Sequence, residues 1–157
     1  MLRTLGTEDD WPLWRELRLA SFADAPEAFV EAPEEWAHGG EAAWRERLLD
    51  PDALAVVAVE EGEGVGLARS AVEDGSAWLH SLWVDPSRRG LGVAERLVEA
   101  VEEWARARAT RITLDVVPDN ARAIALYTRL GYVPGPDPGE PLPGGGNELR
   151  MVKQFDD

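Results

Sequence analysis

The segment Arg89-Gly90-Leu91-Gly92-Val93-Ala94 is the part of this chain best suited to holding an anion. Two glycines let the backbone bend tightly and come close to a ligand. The amphipathic run that follows marks the start of a helix, whose first N–H groups lack partners within the helix and stand at the positive end of its dipole. Arg88 and Arg89 add two cations to a chain whose formal net charge is −14, so the local charge opposes the global one. Such a place binds a phosphate or diphosphate. The same glycines also serve a plain strand-to-helix corner, and the motif alone leaves both readings open. A dinucleotide fingerprint is set aside because its third glycine is missing, and a Walker loop because no Gly-Lys-Ser/Thr follows.

A second group of chemically capable residues lies further along. At about 100° per residue, seven residues bring a helix nearly back to its starting direction, so Asn120, Ala123 and Tyr127 share one face. Asn120 can donate to and accept from an amide-rich ligand, Ala123 leaves room, and Tyr127 presents a phenol that could equally be a core aromatic with its hydroxyl at the surface. The chain has no cysteine, which excludes thiolate metal sites and any acyl group carried on an enzyme sulfur. Its two histidines, His38 and His80, lie far apart in sequence, so no metal is expected. The acidic balance argues against a nucleic-acid partner, which would demand a basic face.

These residues need elements to position them. Leu13, Trp14, Leu17, Ala20 and Ser21 recur at helical spacing, with Arg15, Glu16 and Arg18 mostly off that stripe, which predicts a first helix to about Ala23. A second helix is expected within Glu34 to Leu49. Ala53–Val59, Val65–Val72 and Ala77–Val84 read as three hairpin-linked antiparallel strands. A long helix follows, with Leu97, Val101, Trp104 and Ala105 inward and Glu99, Glu102, Glu103 and Arg106 outward. Arg111–Val116 is a strand, Pro118-Asp119-Asn120 starts another helix with Asp119 as its expected cap, and Gly131 stops it. Pro134 to Asn147 reads as a long loop before a last strand from about Glu148 to Phe155. The order predicts one α/β domain over residues 1–157, with a mixed, mostly antiparallel central sheet of about six to seven strands flanked by about four helices. The longest apolar run, Ala53 to Val59, is too short to span a bilayer, and the first ten residues lack a signal peptide's apolar core. No membrane partner and a cytoplasmic location are therefore expected.

The glycine segment resembles the Q/R-x-x-G-x-G/A signature of the GCN5-related N-acetyltransferases (GNAT), with Arg89, Gly92 and Ala94 at the defining positions. Leu79 to Pro86 is similar to that family's splayed central strand, and Asn120 to Tyr132 to its second motif. The resemblance implies that acetyl-CoA sets its diphosphate on the amides of Arg89, Gly90, Leu91, Gly92, Val93 and Ala94, beside Arg88. Its pantetheine arm would run along Leu82, Trp83 and Val84, held further on by Asn120 and Ala123. It implies transfer of the acetyl group to a primary amine by direct attack, without a covalent enzyme intermediate. Tyr127 would be the general acid for the departing thiolate, since a phenol of pKa near 10 is protonated at neutral pH. The backbone N–H of Val84 or a neighbour would stabilise the oxyanion. The family often places a glutamate on the central strand as base; the corresponding position here holds His80, with Glu73 a second candidate.

The acceptor pocket is expected between the N-terminal helices and the late loop, with Phe29 and Trp36 as candidate lining. A small-molecule amine, a peptide N-terminus or a lysine all remain open as acceptor. A non-catalytic acyl-CoA-binding or sensing module keeps the same cradle, and Tyr127 argues for chemistry against it. An exposed edge strand allows a homodimer.

Overall fold

A continuous apolar, β-branched run in Ala53–Glu60, turn residues at Glu61-Gly62, and a second apolar run dictate a hairpin, and the computed structural model, which describes residues 2–5, 10–24 and 52–155, contains it. Strand β1 is Leu2–Leu5, helix α1 Trp11–Asp24, β2 Ala53–Glu60, β3 Glu63–Glu73 and β4 Ser76–Val84. Helix α2 is Val93–Arg106, β5 Arg111–Val116, α3 Ala121–Arg129, β6 Val133–Pro134 and β7 Leu149–Gln154. The seven strands form one sheet in the order β1-β2-β3-β4-β5-β7-β6, antiparallel throughout except where β4 meets β5 in parallel. Three α-helices fall among the described residues. The helix expected within Glu34 to Leu49, and with it Phe29 and Trp36, lies outside them. No helix of the described residues is long and apolar enough to cross a membrane.

The sheet buries both faces. On one, α2 and α3 cover a core that includes Ala77, Leu79, Val84, Leu97, Val101, Leu114 and Tyr127. On the other, α1 lays Trp14 and Leu17 over Leu5, Val57, Leu67 and Trp83. Each fully buried side chain such as Leu97 or Leu67 contributes about 1.5–3 kcal/mol.

Two departures from the expected pattern concern charge. Arg18 was expected off the buried stripe of α1 but is only 2% exposed, because four residues place it directly above Trp14 on the covered side. Glu102 was expected to face outward on α2 and is 6% exposed. Its carboxylate accepts from the Tyr132 hydroxyl at 2.9 Å and from Lys153 Nζ at 2.8 Å, and these donors from the C-terminal part of the chain compensate its removal from water.

The geometry that matters for a site is set by β4. It pairs with β5 only through Ala77, Trp78 and Leu79, against Ile112, Thr113 and Leu114. Beyond Leu79, β5 continues to Val116 alongside β7, while β4 continues to Val84 alongside β3 alone. The two strands part, and the β5-side edge of β4 is left without a strand partner. A bulge stands at the same place: Arg69 faces Ser81 and Ser70 faces Leu79, so His80 is the extra residue. It reverses the alternation. Ala77 and Leu79 point to the α2 face before it, Leu82 and Val84 do so after it, and Trp83 is turned to the α1 face.

Candidate active site

The wedge opened by β4 and β5 holds a cavity of about 1000 Å³. One wall is the turn from β4 into α2. There Gly90 and Gly92 adopt positive φ, +80° and +84°, and a Cβ built on Gly90 meets nothing within 4 Å. Gly92 is the N-cap of α2 and supplies no side chain to cap it, so the first-turn amides of α2 have no partner from the cap residue. Open space before unpaired N–H groups at a helix start fits a diphosphate.

Two carboxylates hold this turn in place. Asp85 accepts from the Ser87 hydroxyl at 2.6 Å and amide at 2.9 Å, closing a short 3-10 turn over Pro86–Arg88 and holding its own carboxyl below the ordinary range. Asp24, the last residue of α1, accepts from Trp83 Nε1 at 2.9 Å and from Arg89 Nη2 at 2.5 Å. The indole bond, and after it the guanidinium, hold the Asp24 carboxyl low as well. Arg89 also donates through Nε to the Val84 carbonyl at 3.1 Å, and Arg88 lies 3.2 Å from Glu60. Both arginines are thus engaged by the protein itself. They brace the bend, which forms part of the cavity wall.

The opposite wall is α3. Asn120, and not Asp119 as expected, caps it, its side chain accepting from the Ala123 amide at 3.2 Å. Tyr127 is 7% exposed, packs edge to face against Tyr132 with centroids 5.7 Å apart, and makes no hydrogen bond through its hydroxyl among the described residues. Burial raises its pKa, so the phenol stays protonated across the physiological range. The ring behind it is fixed in turn by the buried Glu102.

A second cavity of about 570 Å³ lies on the other side of the wedge and shares Leu82, Asn120, Ala123 and Tyr127 with the first. Tyr127 therefore stands where the two meet. Of the residues singled out in the sequence, Leu82 to Val84, Arg88 to Ala94 except Leu91, Asn120, Ala123 and Tyr127 all line the larger cavity. Leu91 points away and is 64% exposed. His80 and Glu73 line the smaller one, His80 exposed and stacked 6.3 Å from Trp78.

Residues 11–132 match the Acetyltransferase (GNAT) family. The chain belongs to that family. It is 32% identical over 138 residues to a mycothiol acetyltransferase of Beutenbergia cavernae, a match covering 85% of this chain and 45% of that protein. A mycothiol acetyltransferase of Kineococcus radiotolerans is 32% identical over 122 residues, covering 76% and 38% respectively. The chain thus spans less than half the length of these curated relatives. Among solved structures, the PaiA N-acetyltransferase of Thermoplasma acidophilum, in complex with coenzyme A, superposes with a TM-score of 0.78 at 14% identity over 99% of both chains. At that identity the likeness speaks for the fold, which is the GNAT fold.

Several lining residues of this GNAT protein's smaller cavity were not foreseen: Arg18, Asp115, Glu140, Glu148 and Arg150. They come from α1, β5, the late loop and β7. Asp115 alternated visibly with apolar neighbours in its strand, but its partner Arg150 lies 35 residues away. No local pattern joins them.

Proposed function

We propose that this protein transfers an acetyl group from acetyl-CoA to a primary amine by direct attack of the amine on the thioester. The observation that carries the reading is the junction of two cavities at Tyr127, one beginning at an amide-lined glycine bend and the other lined by ionisable side chains. The amides around Gly92 hold the diphosphate, the free edge of β4 from Leu82 to Val84 pairs with the pantetheine amides, and Asn120 orients the arm from the other wall. Acetyl-CoA supplies the activated carbonyl. An amide of the unpaired β4 edge meets the charge that develops on the carbonyl oxygen, and Tyr127 gives its proton to the departing sulfur. The acceptor enters from the smaller cavity, where His80 and four carboxylates besides Asp74 line the wall.

Family membership, the open glycine bend and the protonated state of Tyr127 support this reading. The test has two steps. Titration with CoA, followed by tryptophan fluorescence, is expected to show saturable binding. Free-thiol release from acetyl-CoA is then measured with a panel of amino acids, polyamines, aminoglycosides and peptides bearing a free N-terminus or lysine. Binding without release by any member would leave a coenzyme-binding module, and no binding at millimolar CoA would end the assignment.

A further inference from the structure

The late loop does more than connect β6 to β7. Residues 139–148 fold back on themselves: Glu148 N donates to Glu140 O at 2.8 Å, Gly139 N to Glu148 O at 2.9 Å, and Pro141 bridges Asn147. The fold-back lies against β5, where Glu140 N donates to Asp115 Oδ2 at 3.2 Å. Gly139 is what permits this approach, since a Cβ there would stand 2.6 Å from the Glu148 carbonyl and 3.0 Å from Asp115 Cγ. Three carboxylates are thereby gathered at one wall of the smaller cavity.

They are not equivalent. Asp115 is held by both arms of Arg150, at 2.8 and 2.9 Å. Glu140 is 70% exposed and 4.0 Å from Arg150. Glu148 is half-buried, and among the described residues no side chain forms a hydrogen bond or ion pair with its carboxylate. It lines the cavity that Tyr127 also reaches. The other charged or titratable groups of that cavity are Arg18 from α1, Glu73 and Asp74 from the β3–β4 turn, and His80 from β4.

We infer that Glu148 is the catalytic base of this site, the group that takes the proton of the acceptor amine. The inference rests on the acyl-transfer reading above and names the residue that completes it. Burial first, then the neighbouring Asp115 and Glu140 charges, raise the Glu148 pKa to about 7, against the opposing pull of Arg150. A carboxylate poised there is ionised for about half the time at neutral pH and returns its proton to water readily, as a general base must. His80 is exposed at the bulge and stacked beside Trp78, while Glu148 is the half-buried group.

The step balances as follows. The acceptor arrives as an ammonium and gives one proton to Glu148, which releases it to solvent. The neutral nitrogen attacks the thioester carbon; the C–N bond forms and the C–S bond breaks. The second nitrogen proton lost on amide formation replaces the one Tyr127 gives to sulfur.

The experiment measures kcat and kcat/KM against pH for the wild type, E148Q and H80Q, using the amine of the panel that the wild type acetylates fastest. The wild type is expected to gain rate with pH around a midpoint near 7. E148Q is expected to lose that limb and about 100-fold in kcat, with acetyl-CoA affinity retained. H80Q is expected to keep the limb. A limb that persists in E148Q, or one that vanishes only in H80Q, overturns the inference. Carboxyl-carbon NMR of glutamate-labelled protein, without any acceptor, provides an independent reading: one glutamate titrating near 7 and missing from E148Q is expected. If every glutamate titrates near 4, Glu148 is not the base, whatever the rates. A protein with the expected titration that binds acetyl-CoA yet acetylates no amine instead defeats the acyl-transfer reading.

Discussion

The two cavities that meet at Tyr127 are made of different material. The larger is built around main chain: a glycine bend, the open edge of a strand and the start of a helix, with Asp24 and Arg89 among its lining residues and bracing the bend. The smaller is shaped by side chains from α1, the β3–β4 turn, β4, β5, the late loop and β7. A main-chain site can hold the same ligand through many changes of sequence, because its donors are present whatever the residue. A side-chain site changes its ligand with each substitution. The division suits an enzyme that keeps one cosubstrate while its acceptor varies.

The contrast can be broken most severely at Gly92. A tryptophan there must both adopt φ near +84° and fill the space before the helix amides, so Gly92→Trp is expected to abolish CoA binding, read by calorimetry, while circular dichroism stays native. Retained binding would mean that the larger cavity is not the coenzyme site.

At the junction itself, Tyr127→Phe is expected to lower kcat about 100-fold at saturating acetyl-CoA and to leave CoA affinity within about twofold. Unchanged turnover would remove the phenol from the chemistry. Because the ring keeps its place against Tyr132, the loss reports the hydroxyl and not the packing.

The smallest expected effect tests whether the braces matter only indirectly. Asp24→Ala removes the shared acceptor of Trp83 and Arg89, a loss of about 1–2 kcal/mol in stability by urea denaturation, with CoA binding weakened several-fold. A loss as complete as that expected for Gly92→Trp would show that charge, and not backbone, dominates the coenzyme side.

The same contrast governs how much of the fold and of the site is legible in the sequence. The glycine bend, α2 and the Asn120–Tyr127 face are local patterns, written in consecutive residues at helical spacing, and they stand where the sequence places them. The β2-β3-β4 meander was legible in its turns, but the splay of β4 from β5 was legible only through family resemblance, since no residue in Leu79 to Val84 announces a bulge. Arg18 and Glu102 both depart from the rule that a charged residue on an amphipathic helix lies outside, and for Glu102 it is Tyr132 and Lys153, distant in sequence, that make burial tolerable. Glu148 gave no signal. Its surroundings exist only after Gly139 lets a proline-rich loop fold against Asp115.

One feature of β4 limits how the chain can diverge. The supernumerary residue at His80 puts the two halves of the strand out of phase, so that Ala77 and Leu79 share a face with Leu82 and Val84. Removing His80 alone would restore strict alternation with Leu82 and Val84 still beneath α2 and Trp83 still against Trp14 and Leu17; what would go is the local bend of the bulge, at the point where β4 leaves β5. Adding one more residue there would instead turn Trp83 toward α2, away from Asp24, and send Leu82 and Val84 the other way. Evolution can therefore exchange side chains along this strand freely, but it cannot lengthen it by one without setting two hydrophobic layers against each other.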